Sequence, residues 1–253
     1  MAYRYSDSHN WKARLSCLAF LLLVLIPTLA RAQGALTVSP VRVDLSKARR
    51  AAVLTLRNDG NAPTVVQAQV MAWSQQDGVG QYTETGDILV SPPLFTITAG
   101  ATQIVRLGLR RTPDPTQELA YRLFLQQVPS AVPAAQQTVR MALRINLPVF
   151  VEAIEPKPPQ LTWSAHRDPS GEFRLSVDNS GLTHVLLFDF EVGAADAEPI
   201  PVSVQGPQYV LAGQKRSWLI KVGDGTVQDA QRLRIRAKSD AGDVDTEIAL
   251  ASP

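Results

Sequence analysis

The 253-residue chain carries 25 basic and 23 acidic residues, for a formal net charge of +2, with one cysteine and three histidines. So small a charge excess gives no support to a nucleic-acid or membrane-surface role, and one cysteine excludes an intramolecular disulfide framework. The scarcity of histidine weighs against metal sites and histidine-based catalysis.

The N-terminal stretch "MAYRYSDSHNWKARLSCLAFLLLVLIPTLARAQG" places Lys12 and Arg14 ahead of an apolar run from Leu15 to Leu29, followed by Ala30, Arg31 and Ala32. Charged start, apolar middle and small-residue cleavage site together predict a secretory signal peptide over residues 1–32. The 15-residue run falls short of the roughly 20 residues a membrane span needs. Cys17 lies inside this segment, and "RLSC" lacks the leucine three places earlier that a lipoprotein signal requires. Without Arg4, Lys12, Arg14, Arg31 and Asp7, the mature chain from Gln33 holds 21 basic against 22 acidic residues and no thiol. An exported protein of this length without disulfides must be held by apolar cores, and it suits two domains of about 100 residues each.

From Leu36 onward, short runs alternate apolar with polar or small residues: "LTVSPVRVDL", "AAVLTLRND", "TVVQAQVMAW", "ATQIVRLGLR", "AYRLFLQQV" and "TVRMALRINLPVFVEA". Period-two alternation predicts strands, and the intervening "NDGNAP", "QQDGVGQ", "SPP" and "TAG" predict turns. The spacing describes an antiparallel sandwich. At "EAIEPKPPQ", Pro156, Pro158 and Pro159 remove backbone donors and hold the chain extended, which places a domain boundary between residues 154 and 155. A second set of strand-like runs follows, from "EFRLSVDN" to "VDTEIAL".

No catalytic constellation emerges. "DGVG" and "GDG" lack the spacing and following helix of a phosphate loop and read as hairpin connections. Asp44, Glu118, Glu152 and Asp189 fall in separate segments, His166 and His184 read as surface or structural imidazoles, and Trp73, Trp163 and Trp218 as core or sandwich-edge aromatics. The sequence therefore predicts no enzyme and no cofactor or metal.

The run from Val139 to Val151 is unusual. Extended at about 3.3 Å per residue, it would reach roughly 40 Å, beyond the usual strand of five or six residues. Val139, Met141, Leu143, Ile145, Leu147, Val149 and Val151 fall on one face and Arg140, Ala142, Arg144 and Asn146 on the other. Leu147, Val149 and Val151, nearer the proline cluster, are the expected core members. The upstream end follows "PSAVPAAQQ" and has more reason to be exposed. An exposed edge bearing large apolar residues is an aggregation hazard unless a partner strand adds to it.

The order of these features resembles the periplasmic pilus-assembly chaperones of the chaperone/usher pathway. The segments that carry the resemblance are "VSPVRVDL", "LTLRNDGNAP", "VQAQVMAWSQQDG", "DILVSPPLFTITAGATQIVRLGLRR", "ELAYRLFLQQVP" and "VRMALRINLPVF" in the first half. The second half is matched more loosely through "FRLSVDNSGLTHVLLFDFEV" and "YVLAGQKRSWLI". The resemblance implies an all-β fold of two immunoglobulin-like domains set at an angle, spanning residues 33–154 and 155–253. It also implies a periplasmic, non-enzymatic chaperone that completes the fold of a pilus or fimbrial subunit by strand donation, in a one-to-one complex, and delivers it to an outer-membrane usher. Nucleic acid and stable membrane insertion play no part in that reading, and an unoccupied ribbon would leave self-association of the free protein open.

By position, the donor residues implied are Val139, Met141, Leu143 and Ile145. In the family, a first-strand arginine and a seventh-strand lysine hold the subunit's C-terminal carboxylate. Arg42 matches the arginine, whereas Pro148 stands at the lysine position, with Asn146 two residues before it. Arg106, in "IVRLG", is the candidate replacement for the lysine; a solvated strand face or a structural bridge is the competing account of Arg106 and Arg122. Pro148 and the surrounding "LPVF" imply a divergent branch of the family. The rival reading is an exported adhesion or carbohydrate-binding module of two sandwiches, for which Trp73 beside "SQQDGVGQY" is the one feature.

Overall fold

The structure, a computed structural model, describes residues 36–76, 78–129, 142–168, 172–202, 204, 206–220 and 230–251. The expected signal peptide over residues 1–32, and Val139 and Met141 of the expected donor strand, lie outside the described residues. No helix among the described residues is long and apolar enough to cross a membrane.

The first domain is built from β1 (Leu36–Ser39), β2 (Val43–Leu45), β3 (Ala51–Asn58), β4 (Thr64–Gln76), β5 (Val79–Glu84), β6 (Ile88–Ser91), β7 (Leu94–Ile97), β8 (Thr102–Leu109), β9 (Leu119–Val128) and β10 (Arg144–Val151). One sheet has the order β1-β3-β8-β6, and the other β2-β10-β9-β4-β5 with β7 also on β4. The run "LTVSPVRVDL" is thus two strands rather than one. Pro40, lacking a backbone donor, ends the pairing of β1 with β3, and the chain crosses to the opposite sheet, where β2 runs parallel to β10. Between the sheets the alternate residues Leu54, Leu56, Val66, Val105, Leu107, Leu123, Leu125 and Val149 are all but fully buried. The inward period of two, visible in the sequence, is what builds this core.

The second domain comprises β11 (Leu161–Arg167), β12 (Phe173–Asn179), β13 (Val185–Ala194), β14 (Ile200–Pro201), β15 (Gln208–Val210), β16 (Gln214–Ile220), β17 (Arg232–Ser239) and β18 (Val244–Ala251). They form one continuous path, β14-β13-β17-β18-β11-β12-β16, with β15 on β13. Midway along the path the pairing narrows, where β11 meets β18 in parallel through only Ala165↔Leu250 and His166↔Ala251. Phe173, Leu175, Val177 and Ile220 on one side of that narrowing pack into the same buried cluster as Val185, Leu187, Leu233 and Ile235 on the other. The sheet therefore folds over on itself into a second sandwich. No strand is formed across Glu152–Gln160, the stretch that holds the proline cluster.

A third, smaller buried cluster joins the two sandwiches: Trp73 of β4, Phe150 of β10, and Tyr209 and Leu211 from the second domain. Gln75 adds polar contacts at the same place. Its Nε2 donates to the Tyr209 carbonyl at 2.8 Å, and its Oε1 accepts the Leu211 N–H at 3.0 Å.

Candidate functional site: a free strand edge beside an interdomain cleft

Strand β10 pairs with β9 along its whole length, from Arg144↔Gln126 to Val151↔Leu119, but with β2 only at Val149, Phe150 and Val151. Among the described residues, the outer edge of Arg144–Pro148 has no partner strand. In an antiparallel pair, backbone groups point alternately toward and away from the neighbour. The Gln127 N–H donates to the Leu143 carbonyl, which makes residues 143, 145 and 147 the ones facing β9. The N–H groups of Arg144 and Asn146 therefore point to the open edge. Residue 148 would point the same way, and there a proline removes only a donor that has no partner, which is why the strand tolerates it.

The side chains of this segment divide by depth. Leu147 is 5% exposed and Val149 and Val151 fully buried in the first domain's core. Ile145 is half-buried against that core, as are Leu36 and Val38 of β1, while Leu143 is 38% exposed. The core is thus least complete where β1 and the start of β10 approach the open edge.

Downstream, β10 runs into the junction between domains. Phe150 lies face to face with His184, with ring centres 3.6 Å apart and planes 5° from parallel. His184 contacts Glu118 twice, through its ring Nδ1 at 2.6 Å and its backbone N–H at 3.1 Å. Its Nε2 stands 3.9 Å from an Asp240 carboxylate oxygen. Arg42 lies on the same cleft, 5.1 Å from the centre of the Phe150 ring. Its Nε donates to both oxygens of Asp44 at 2.8 and 3.1 Å, and its Nη1 reaches Asp240 at 3.4 Å. Burial works against this guanidinium's charge, but the hydrogen bond and attraction of Asp44 outweigh it and raise its pKa. The cleft beside these groups measures about 400 Å³.

Arg106 sits elsewhere. Its neighbours in sequence, Val105 and Leu107, point into the core, so Arg106 projects from the outer face of the other sheet, between Val53 and Ser91. The structure does not bring Arg42 and Arg106 together. Trp73 is 6% exposed inside the junction, which withdraws the loop-tip aromatic on which the adhesion-module reading depended.

The junction also brings together residues that the sequence reading left in separate segments. Glu118 and His184 are 66 positions apart, and their pairing is invisible without the fold. Arg122 of β9 is 8% exposed, its guanidinium 3.8 Å from the centre of a Trp73 ring. Arg122 and Arg216 come from distant segments, and only the fold places them at one junction. Among the described residues no cluster of three or more His, Cys, Asp or Glu could hold a metal ion.

Residues 35–157 match the family described as pili and flagellar-assembly chaperone, PapD N-terminal domain. No curated protein matches by sequence. Among solved structures, the chain is similar to the chaperone–tip adhesin pre-assembly complex CsuC–CsuE of archaic chaperone–usher Csu pili from Acinetobacter baumannii. That likeness has a TM-score of 0.62 and 21% identity, covering 86% of this chain and 99% of that one. It is similar also to the Salmonella enterica SafA pilin in complex with the SafB chaperone (TM-score 0.57, 18% identity, 87% and 99% coverage). The E. coli chaperone DraB gives a TM-score of 0.55 at 17% identity, covering 88% of this chain and 98% of that one. These likenesses show the shared fold, two immunoglobulin-like domains.

Proposed function

We propose, from the match of residues 35–157 to the pili and flagellar-assembly chaperone family, that the chain is a periplasmic chaperone that completes the fold of a pilus or fimbrial subunit by lending it the outer edge of β10. The unpaired edge of Arg144–Pro148 carries this reading. An extended segment of the subunit would add to it as a strand, with main-chain hydrogen bonds supplying affinity and alternate side chains supplying specificity, as in the known chaperone–pilin mode of strand addition. Leu143 and Ile145, with Val139 and Met141 upstream, would fill the subunit's open groove. Pro148 would end the added ladder, because beyond it the edge is already taken by β2.

The held subunit would then be passed to an outer-membrane usher. No nucleotide chemistry is invoked; release follows when a neighbouring subunit's strand, better packed in the fibre, replaces the chaperone's. The solved complexes of CsuC with CsuE and of SafB with SafA support a subunit as partner.

Backbone hydrogen exchange tests the edge directly. In the protein alone, the Arg144 and Asn146 amides should exchange rapidly, and in a one-to-one complex with a subunit their exchange should slow by at least about 100-fold, because each would gain a ladder hydrogen bond. Unchanged exchange at both amides in a stable complex would contradict strand addition at this edge.

A further inference from the structure

The ladder between β9 and β10 ends in an irregular way at Leu143. In a regular antiparallel pair, two residues that exchange main-chain bonds do so through both N–H and C=O groups. At Leu143 only half of that exchange runs through the backbone. The Gln127 N–H donates to the Leu143 carbonyl at 2.9 Å, but the Leu143 N–H donates to the side-chain Oε1 of Gln127 at 3.0 Å. One residue of β9 thus holds both main-chain groups of Leu143, one with its backbone and one with its side chain.

The Gln127 amide is itself oriented. Because the Leu143 N–H needs an acceptor, the amide oxygen faces Leu143 and the NH2 group turns the other way. There Nε2 donates to the Oγ1 of Thr64, the first residue of β4, at 3.3 Å. Thr64, Gln127 and Leu143 form a polar chain from β4 across β9 to the start of β10, at one end of the sheet.

The next residue is held on the face of the sheet instead. The Arg144 guanidinium lies 4.3 Å from the centre of the Phe124 ring, which meets Tyr82 edge-on at 5.1 Å. Phe124 is paired with Asn146, so Arg144 reaches it along the cross-strand diagonal. Leu143 is therefore fixed within the plane of the sheet and Arg144 above it, and together they set the roll of the strand about its own axis. A slip of one residue would exchange the two faces of the strand. With Leu143 held to β9, the Arg144 and Asn146 N–H groups face the open edge, and the Leu143 and Ile145 side chains share a face.

We propose that Gln127 is a positioning residue for strand donation, which fixes the register of the donor edge in the free protein before a subunit arrives. The assignment rests on the strand-donation reading above. An edge already held in its binding conformation loses less freedom on association, so its affinity is higher than that of the same sequence unclamped. Gln127 lies on the β9 side of the donor, and it acts through Leu143.

Amide exchange in the free protein tests the clamp without any subunit. The Leu143 amide should exchange at least about tenfold more slowly than the neighbouring Arg144 amide, which faces the open edge. Gln127→Leu removes the acceptor and should bring the two rates together. Gln127→Glu keeps an acceptor for Leu143, and its other oxygen can accept from the Thr64 hydroxyl, so the difference should persist. Equal rates in the wild type, or an unchanged difference in Gln127→Leu, would overturn the clamp. Competition tests the role in donation. Wild type and variant, carrying tags of different mass, are coexpressed in equal amounts with each candidate subunit, and the subunit-bound pool is weighed by native mass spectrometry. Wild type should exceed Gln127→Leu in that pool by about fivefold, whereas Gln127→Glu should match the wild type, a rescue that general loss of stability would not give. Equal recovery of wild type and Gln127→Leu would overturn the positioning role and leave donation standing. A wild type that recovers no subunit would contradict donation and the positioning role together.

Discussion

Asn58 and Asn179 close the two sandwiches in the same way. Each ends a strand and is buried, and each turns its side chain back on the backbone. The Nδ2 of Asn58 donates to the Ala62 and Ile97 carbonyls at 2.8 and 3.0 Å, and its Oδ1 accepts the Gly60 N–H at 3.0 Å. Asn179 does more: its Nδ2 donates to the Thr183, Leu211 and Val210 carbonyls, and its Oδ1 accepts the N–H groups of Gly181 and Gln160, both at 3.0 Å. The Gln160 bond ties the second sandwich to the end of the proline segment. Removing this amide strands several buried backbone groups, each costing about 1–3 kcal/mol when unpaired. Asn179→Ala should therefore lower stability by roughly 3 kcal/mol in urea denaturation, and a loss below about 1 kcal/mol would mean that water replaces the amide. In the sequence Asn58 falls in the turn signal "NDGNAP" and Asn179 at the end of the strand-like run "EFRLSVDN", and nothing local shows that their side chains face inward.

Strand β10 shows best what an element reveals from its sequence and what it hides. The alternation from Val139 to Val151 announced a strand with a buried end, and Leu147, Val149 and Val151 do line the core. The described strand begins only at Arg144, and Ile145, expected as a donor, is half-buried against its own domain. Alternation records which residues share a face, not which neighbouring strand is present or missing, so the open edge could be located only through the pairing of β2. For the same reason "LTVSPVRVDL" read as one strand although its halves belong to opposite sheets. The depth gradient along β10 is itself testable by single aspartates. Leu147→Asp places a carboxylate in a core position and should cost at least about 3 kcal/mol. Leu143→Asp, at a position 38% exposed, should cost less than about 0.5 kcal/mol. Thermal unfolding of the two variants distinguishes them, and equal losses would mean that Leu143 is a core residue after all.

At the scale of the molecule, two sandwiches meet through a small aromatic cluster flanked by two different kinds of charge. On one flank Arg42, Asp44, Glu118, His184 and Asp240 largely satisfy one another, and on the other Arg122 and Arg216 do not. The first set binds the domains together, whereas the second meets aromatic rings and the Tyr209 carbonyl. Neither grouping could be read from the chain, because Glu118, His184 and Asp240, like Arg122 and Arg216, come from segments far apart that only the folded junction assembles. The two-domain, all-β architecture was legible because period-two runs, turn residues and the proline cluster are local signals. The free edge of β10 beside that junction is the feature on which the proposed function rests. Its most direct test is co-purification of the tagged protein with candidate subunits from the periplasm, comparing the wild type with a folded Met141→Asp, Leu143→Asp double variant. The wild type should recover a stable one-to-one subunit complex and the variant none; recovery of the same complex by both would contradict strand donation.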